Sequence, residues 1–251
     1  MPPRLVQDFE GPTLDEDVWL PSYFPAWSSR AESAATYSLD DGVLRLFLPA
    51  GGGHWCPDTH APPLRVSGIQ SGNFSGPAGS TVGQQPFREG LQVAEAQPRF
   101  EGHLHDGGRL EIRCRMTLSP RSMAAFWLVG FEDEPQRCGE LCVTEVFGRS
   151  IEPGRSAEVG MGVHRFRDPG LVEDFEAPRL DVDVDELHRY AVTWDREVAV
   201  FSLDGQEVRR CRRPPAYPMQ MELAVFDFPE WSTGADDHLV PELVVDWIRG
   251  D

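Results

Sequence analysis

The chain contains no lysine, and its 23 basic side chains, all arginine, face 41 Asp and Glu for a formal net charge of −18. A surface this acidic repels polyanions, which excludes nucleic acid and anionic membranes as natural partners and leaves neutral ligands open. Sulfated or uronic polymers would need a local arginine patch. Cysteine is sparse as well. Cys56, Cys114, Cys138, Cys142 and Cys211 are odd in number and scattered, with no C-x-x-C pair, so neither a disulfide framework nor a zinc knuckle is written here. Cys138 and Cys142, four apart, lack the second pair that a metal site requires. Free thiols suit a reducing compartment. No apolar run approaches the ~20 residues of a membrane-spanning helix. The opening MPPRLVQDFEG has neither a basic n-region nor an apolar h-region, which predicts a cytoplasmic location, or a secreted one if a leader was removed ahead of it. There is no amphipathic helix of three turns, and no long repeat of the kind that builds propellers and solenoids.

Period-two patterning is abundant. In RLEIRCRMTL (109–118), Leu110, Ile112, Cys114, Met116 and Leu118 alternate with Arg109, Glu111, Arg113, Arg115 and Thr117, the pattern of a strand with one wet face. Similar runs are GVLRLFL (42–48), HRYAVTW (188–194), EVAVFSL (197–203), MELAVFDF (221–228) and ELVVDWI (242–248). Asp204-Gly205 joins EVAVFSL to QEVRR, and that dipeptide tolerates the positive φ of a tight hairpin. With 24 Gly and 22 Pro, many falling between short apolar runs, an all-β sandwich of two antiparallel sheets is expected, one domain over 1–251. Residues 49–97 break the rhythm. They are rich in Gly, Pro, Ser and Gln, with a strand expected at LRVSGIQSGNF. The rest is either loops laid over a sheet face, walling a cleft, or a surface insertion.

Residues 138–148 read CGELCVTEVFG. On a regular strand Glu140 and Glu145, five apart, point to opposite faces, and one carboxylate would be buried alone at a high cost. A β-bulge near Val143-Thr144 restores them to one face together with position 142. SMAAFWLVGFEDEP (122–135) supplies the preceding strand.

With the bulge, Glu140-Leu-Cys142-Val-Thr-Glu145 resembles the Glu-x-Asp-x-x-Glu signature of glycoside hydrolase family 16, the jelly-roll β-glucanases related to concanavalin A-like lectins. AFWLVG resembles that family's Ala-Phe-Trp strand, HDGGRLEIRCRM its Tyr-Gly-Arg-Phe-Glu-Ala-Arg segment, ELHRYAVTWDREVAVFSLDGQEVRR its Phe-His-x-Tyr-x-x-x-Trp stretch and hairpin, and VVDWIRG its closing strand. The likeness runs in order over nearly the whole chain and is weakest at 49–97. It implies a jelly roll and endo-acting, retaining hydrolysis of a β-linked glucan or galactan, β-1,3-glucan being the default. Glu140 would then be the nucleophile and Glu145 the acid/base, with carboxyls about 5–5.5 Å apart. Cys142 stands where the family has its middle Asp, and a neutral thiol carries little charge at pH 7. Its presence implies either a slower enzyme or a glycan-binding protein with a degenerate cleft.

Aromatic side chains stack on sugar faces, and Trp127 and Trp231 match family aromatic positions, with Trp27 and Trp55 as further candidates. Trp194 and Trp247, at alternating strand positions, read as core. His164 in GMGVHRF matches a family histidine near the reacting sugar. The resemblance also implies a structural calcium at Glu10, Gly42 and Asp246, whose oxygen donors suit that ion. Catalysis itself requires no cofactor. The expected partner is a neutral oligo- or polysaccharide bound by a monomer, with no nucleic acid and no membrane.

Overall fold

In the computed structural model, which describes residues 5–235 and 238–251, two large antiparallel sheets face one another. The outer sheet runs, in spatial order, β17 (Gln206–Arg212), β16 (Val198–Leu203), β15 (His188–Trp194), β8 (Gly108–Thr117), β19 (Glu242–Gly250), β3 (Val43–Phe47) and β2 (Tyr37–Asp40), with β1 (Leu5–Gln7) also on β19. The inner sheet runs β13 (Asp174–Glu176), β12 (Gly160–His164), β10 (Glu140–Phe147), β9 (Ser122–Gly130), β18 (Met219–Asp227) and β4 (Arg65–Gln70), with β7 (Leu104–His105) also on β18. Two short ladders complete the set, β5 (Gly72–Asn73) with β6 (Phe100–Glu101), and β11 (Ala157–Glu158) with β14 (Arg179–Leu180). Helix among the described residues is confined to three single 3₁₀ turns, and none is long or apolar enough to cross a membrane. The strand order interleaves distant segments, as in the expected jelly-roll sandwich.

The sequence periods explain which face each sheet buries. Along β8, Leu110, Ile112, Cys114 and Met116 are at most 1% exposed, while the intervening arginines and Glu111 are only half-buried. Its sheet is therefore wet outside and dry inside. By contrast every residue of β9 and of β18 is buried. Neither strand has a wet face, although MELAVFDF was expected to alternate, because both of their faces are covered. One face packs into the main core between the sheets, with Phe126, Leu128, Met221 and Leu223. The other face carries Trp127, Ala125, Ala224 and Phe226 and meets a second apolar cluster built from Phe24, Trp27, Trp55, Leu64, Leu91 and Val93. The segment 49–97 is thus a wall over the inner sheet, not a surface insertion. Its expected strand is β4.

Asp204 (φ 50°) and Gly205 (φ 82°) turn the β16–β17 hairpin in the left-handed region, as the dipeptide demands. Trp247 departs from expectation. A register shift between Val245 and Trp247 inserts an extra residue into β19, so that Ile248 takes the inward position and Trp247 stays half-buried under the Arg249 guanidinium, 5.0 Å from its ring centre. Trp194 is core, as read. All five cysteines are buried and unpaired.

Candidate active site

The glutamate pair sits on β10 at the centre of the inner sheet. Against β9, Cys142 pairs with Trp127 and Thr144 with Phe126, which leaves Val143 as an extra residue. Against β12, Cys142 pairs with Gly162 and Glu145 with Gly160. This is the bulge the spacing required. Leu141, Val143 and Val146 enter the main core, while Glu140, Cys142 and Glu145 all line one cavity of about 540 Å³ on the opposite face. Glycine at 162 is obligatory. Its φ is +144°, and a Cβ there would lie 2.3 Å from the Asp174 carbonyl oxygen.

Burial dominates the electrostatics. It pushes Glu140 well above the usual carboxylate range, with repulsion from Glu145 and Glu173 adding to it. Burial also raises Glu145, against which a nearby His164 acts to lower it. Two acids so placed titrate as a coupled pair, each favouring its protonated form more than a free carboxyl does. The Cys142 thiol is pushed up in the same way, first by burial and then by both glutamates, so it remains a neutral S–H donating to the Gly160 carbonyl oxygen at 3.7 Å. The floor therefore carries a neutral thiol where an Asp would add a third acid.

The aromatic candidates separate. Trp127, 7% exposed, lines the cavity beside Cys142. Trp55 lines it too, but as part of the wall, with Nε1 donating to the Tyr23 carbonyl oxygen at 3.0 Å. Trp27 does not reach the cavity. It is 2% exposed, lies over Gly83 and spends its indole N–H on the Gln84 carbonyl oxygen at 2.8 Å, so its expected sugar contact is withdrawn. Trp231, 37% exposed, stacks on Phe228 at 4.2 Å with the Arg149 guanidinium 4.4 Å from its ring centre, outside the main cavity. His164 faces Glu140 in register, stacks on Phe175 at 4.2 Å and places Nδ1 2.6 Å from Glu173 Oε1.

Three groups escaped sequence reading. Tyr23 lines the cavity and packs edge-on against Trp127 and Trp55. Glu222 of β18 stands in the row Cys142–Trp127–Glu222. It is fully buried, its Oε1 accepts from Gln220 Nε2 at 2.5 Å, Oε2 has no partner, and burial holds it well above the usual range. The signal for it was a Glu in an apolar run whose second face is also covered. Glu132 ties the cavity's far end together, accepting from the Gln85 backbone N–H at 2.7 Å and from Arg167 at 2.6 Å.

Burial pushes Glu132 up to about 7, against the lowering effect of those two donors. The unfolded chain releases this proton near 4.5, so the stability Glu132 contributes is complete below that pH and is lost as pH rises toward 7. The difference amounts to about 3 kcal/mol. Melting scans should show Tm falling by roughly 5–10 °C between pH 4.5 and 7.5, and Glu132→Gln should flatten that slope. Parallel slopes for the two proteins would refute the assignment.

The family model of glycosyl hydrolases family 16 matches residues 107–249, more than half of the chain. No curated protein sequence matches it. Among solved structures, the GlcNAcα1-4Gal-releasing endo-β-galactosidase from Clostridium perfringens superposes with a TM-score of 0.82 at 23% identity, over 98% of this chain and 60% of that one. This chain thus spans less than two thirds of the length of that one. Laminarinase from Flavobacterium sp. UMI-01 gives 0.65 at 17% identity, over 98% of each chain. A lichenase derived from a mouse hindgut metagenome gives 0.61 at 16%, over 99% of this chain and 98% of that one. These are likenesses of fold. The matched segment contains the bulged strand, both glutamates and the strands on either side of it, and the chain belongs to the glycosyl hydrolases family 16.

Proposed function

We propose that the protein is a retaining hydrolase of β-linked glycans, with Glu140 as nucleophile and Glu145 as acid/base. The observation that carries this reading is the bulge at Val143, which costs a break in the β10 ladder and brings two half-buried carboxyls to one cavity face. Glu145, protonated, donates to the glycosidic oxygen as that bond breaks. Glu140, ionised, bonds to the anomeric carbon. Glu145 then takes a proton from the water that releases the sugar, which returns both groups to their starting forms. Burial raises Glu140, and the positive charge developing at the anomeric carbon stabilises the carboxylate form that reacts. Trp127 provides an apolar face beside the pair.

The test is reducing-end release from a panel of β-glucans, β-galactans and their oligosaccharides. Family membership and the fold of the neighbours favour β-1,3-glucan and β-galactan as the first members tried. Silence across the panel, with binding alone, would replace this reading with that of a glycan-binding protein. Cys142→Asp restores a third acid to the floor and should raise kcat by about tenfold, measured on the best panel substrate. An unchanged or lower kcat would mean that the thiol suits this site.

A structural calcium at Glu10, Gly42 and Asp246 belongs to the same reading, though the donor set fits it poorly. Gly42 precedes β3, Glu10 follows β1, and both strands flank β19, in which Asp246 is the bulged residue. The Asp246 carboxylate, however, accepts a hydrogen bond from the Arg113 guanidinium, which a cation would have to displace. Millimolar calcium should raise Tm by a few degrees over an EGTA control if it binds there, and equal melting curves would discard it.

A further inference from the structure

The cavity-side face of β12 carries a single side chain, that of His164. Met161 and Val163 enter the main core, so Gly160, Gly162 and His164 share the other face with their partners Glu145, Cys142 and Glu140. His164 is half-buried there, and its ring is fixed from three sides. Phe175 stacks on it at 4.2 Å with the planes 28° apart, and Phe166 lies 5.9 Å away. Nδ1 lies 2.6 Å from Glu173 Oε1. The second Glu173 oxygen accepts from the Arg165 backbone N–H at 2.9 Å, so the carboxylate swings away only by losing both bonds.

Glu173 is set apart from the charged groups around it. Asp174 and Glu176 of β13 both pair with the Arg209 guanidinium of β17, and Arg167 pairs with Glu132. The ion-pair partner of Glu173 is His164 itself. Burial works to raise the Glu173 carboxyl, but the Arg165 N–H, His164 and the Arg165 charge together hold it below the usual range. An ionised oxygen at Nδ1 is an acceptor, so that nitrogen carries a hydrogen whether the ring is neutral or charged. Nε2, on the far side of the ring, has no hydrogen-bond partner among the described residues. The two members of this dyad act on the glutamate pair in opposite senses. His164 lowers Glu145 against burial, whereas Glu173 adds to burial and to Glu145 in raising Glu140.

We propose that Glu173 is a positioning residue, which through its bond to Nδ1 fixes the His164 ring beside Glu140 and sets the pH range over which the two glutamates work. This rests on the hydrolase reading above and adds to it a carboxylate that acts only through its neighbours. Glu173 also ties together the ends of the loop between β12 and β13. A clamp of that kind alone would change melting and leave the limbs of a pH profile where they are.

The experiment compares pH profiles of kcat/KM at low salt, on whichever panel glycan the wild type hydrolyses. Glu173→Gln keeps the shape and loses the charge. Glu140 then ionises more readily, and a ring without its carboxylate partner lowers Glu145 less. The acidic limb should move down and the alkaline limb up, each by about half a pH unit, so that the profile widens at both ends. Glu173→Asp keeps the charge but draws the carboxylate back from Nδ1. Its limbs should stay in place while the plateau falls at least ~threefold. Nitrogen NMR of histidine-labelled protein gives a readout independent of turnover. At alkaline pH His164 should be the Nδ1–H tautomer in the wild type and shift toward Nε2–H in Glu173→Gln. Unmoved limbs in Glu173→Gln reduce Glu173 to a loop clamp and overturn the proposal, with the hydrolase reading left standing. An Nε2–H tautomer in the wild type overturns it equally. If the wild type hydrolyses no member of the panel, both readings fall. Should Glu173→Gln not fold, the plateau of Glu173→Asp and the wild-type tautomer decide.

Discussion

Glu140→Gln should abolish turnover, lowering kcat by at least ~10⁴-fold while leaving sugar affinity within a few-fold, as loss of a covalent nucleophile does. The substitution preserves shape, so the β10 bulge and the Trp127 platform stay in place. What changes is the carboxylate, because an amide forms no glycosyl-enzyme. It also removes one of the acids in the cavity, and burial holds Glu140 well above its ordinary range. A neutral amide relieves that burden, so Glu140→Gln should melt at or above the wild-type temperature at pH 8, where the buried acid resists ionisation. Dead yet no less stable is the combined signature. A variant that keeps more than about a tenth of wild-type kcat would end Glu140's candidacy as nucleophile, whatever its melting temperature.

Glu145→Ala carries the second large effect, a fall of roughly 10²–10⁴-fold on glycans whose leaving group needs a proton. On an aryl glycoside with a dinitrophenyl leaving group, which departs without one, the first step should be nearly normal and a glycosyl-enzyme should accumulate as a burst. Azide, small enough for the space vacated by the carboxylate, should then release that intermediate as a β-glycosyl azide. In Glu140→Ala the same anion should attack the substrate directly and give the α-azide. The stereochemistry of the two products assigns the roles independently of any rate. The pH profile adds a further arm. Burial raises Glu145, and activity needs its protonated form, so the wild type loses activity as pH rises through that raised value. Glu145→Ala should lose this alkaline limb on the aryl substrate. An intact limb would move the acid role to another group, such as Glu222, a buried acid on the same face.

The sequence made the strand of the glutamate pair legible because the chemistry and the alternation conflict there. Two glutamates five apart in an apolar run demand either a lone buried charge or a bulge, and the register shift after Cys142 is that bulge. Strands with one wet face, such as β8, were readable for the same local reason. What alternation cannot reveal is a second covered face. SMAAFWLVG and MQMELAVFD are buried throughout because loops from residues 20–30 and 55–93 lie on them, a partnership between segments far apart in the chain. Glu222 and Tyr23 were hidden by it. Trp27 and Trp55 were equivalent as loop tryptophans, and only packing on Gly83 sends one away from the cavity while the other forms its wall. Trp247 shows the same logic inverted, since a bulge invisible in VVDWIRG turned it outward.

The five buried, unpaired thiols bear on how this protein is lost as well as how it holds. Folded, the chain offers no accessible sulfur, with Cys114, Cys138 and Cys211 at 0% exposure and Cys56 and Cys142 at no more than 2%. Every opening large enough to bare one is an opportunity for oxidation or disulfide scrambling, and five unmatched thiols have no native pairing to which they can return. In air, unfolding should therefore become one-way, and the lifetime of the protein becomes a rate set by its opening barrier, not an equilibrium set by its stability. The same property makes a thiol reagent a clock. The rate at which the five sulfurs become reactive, together or in stages, reads out whether the sandwich and the loop wall open as one unit or the wall, with Cys56, opens first.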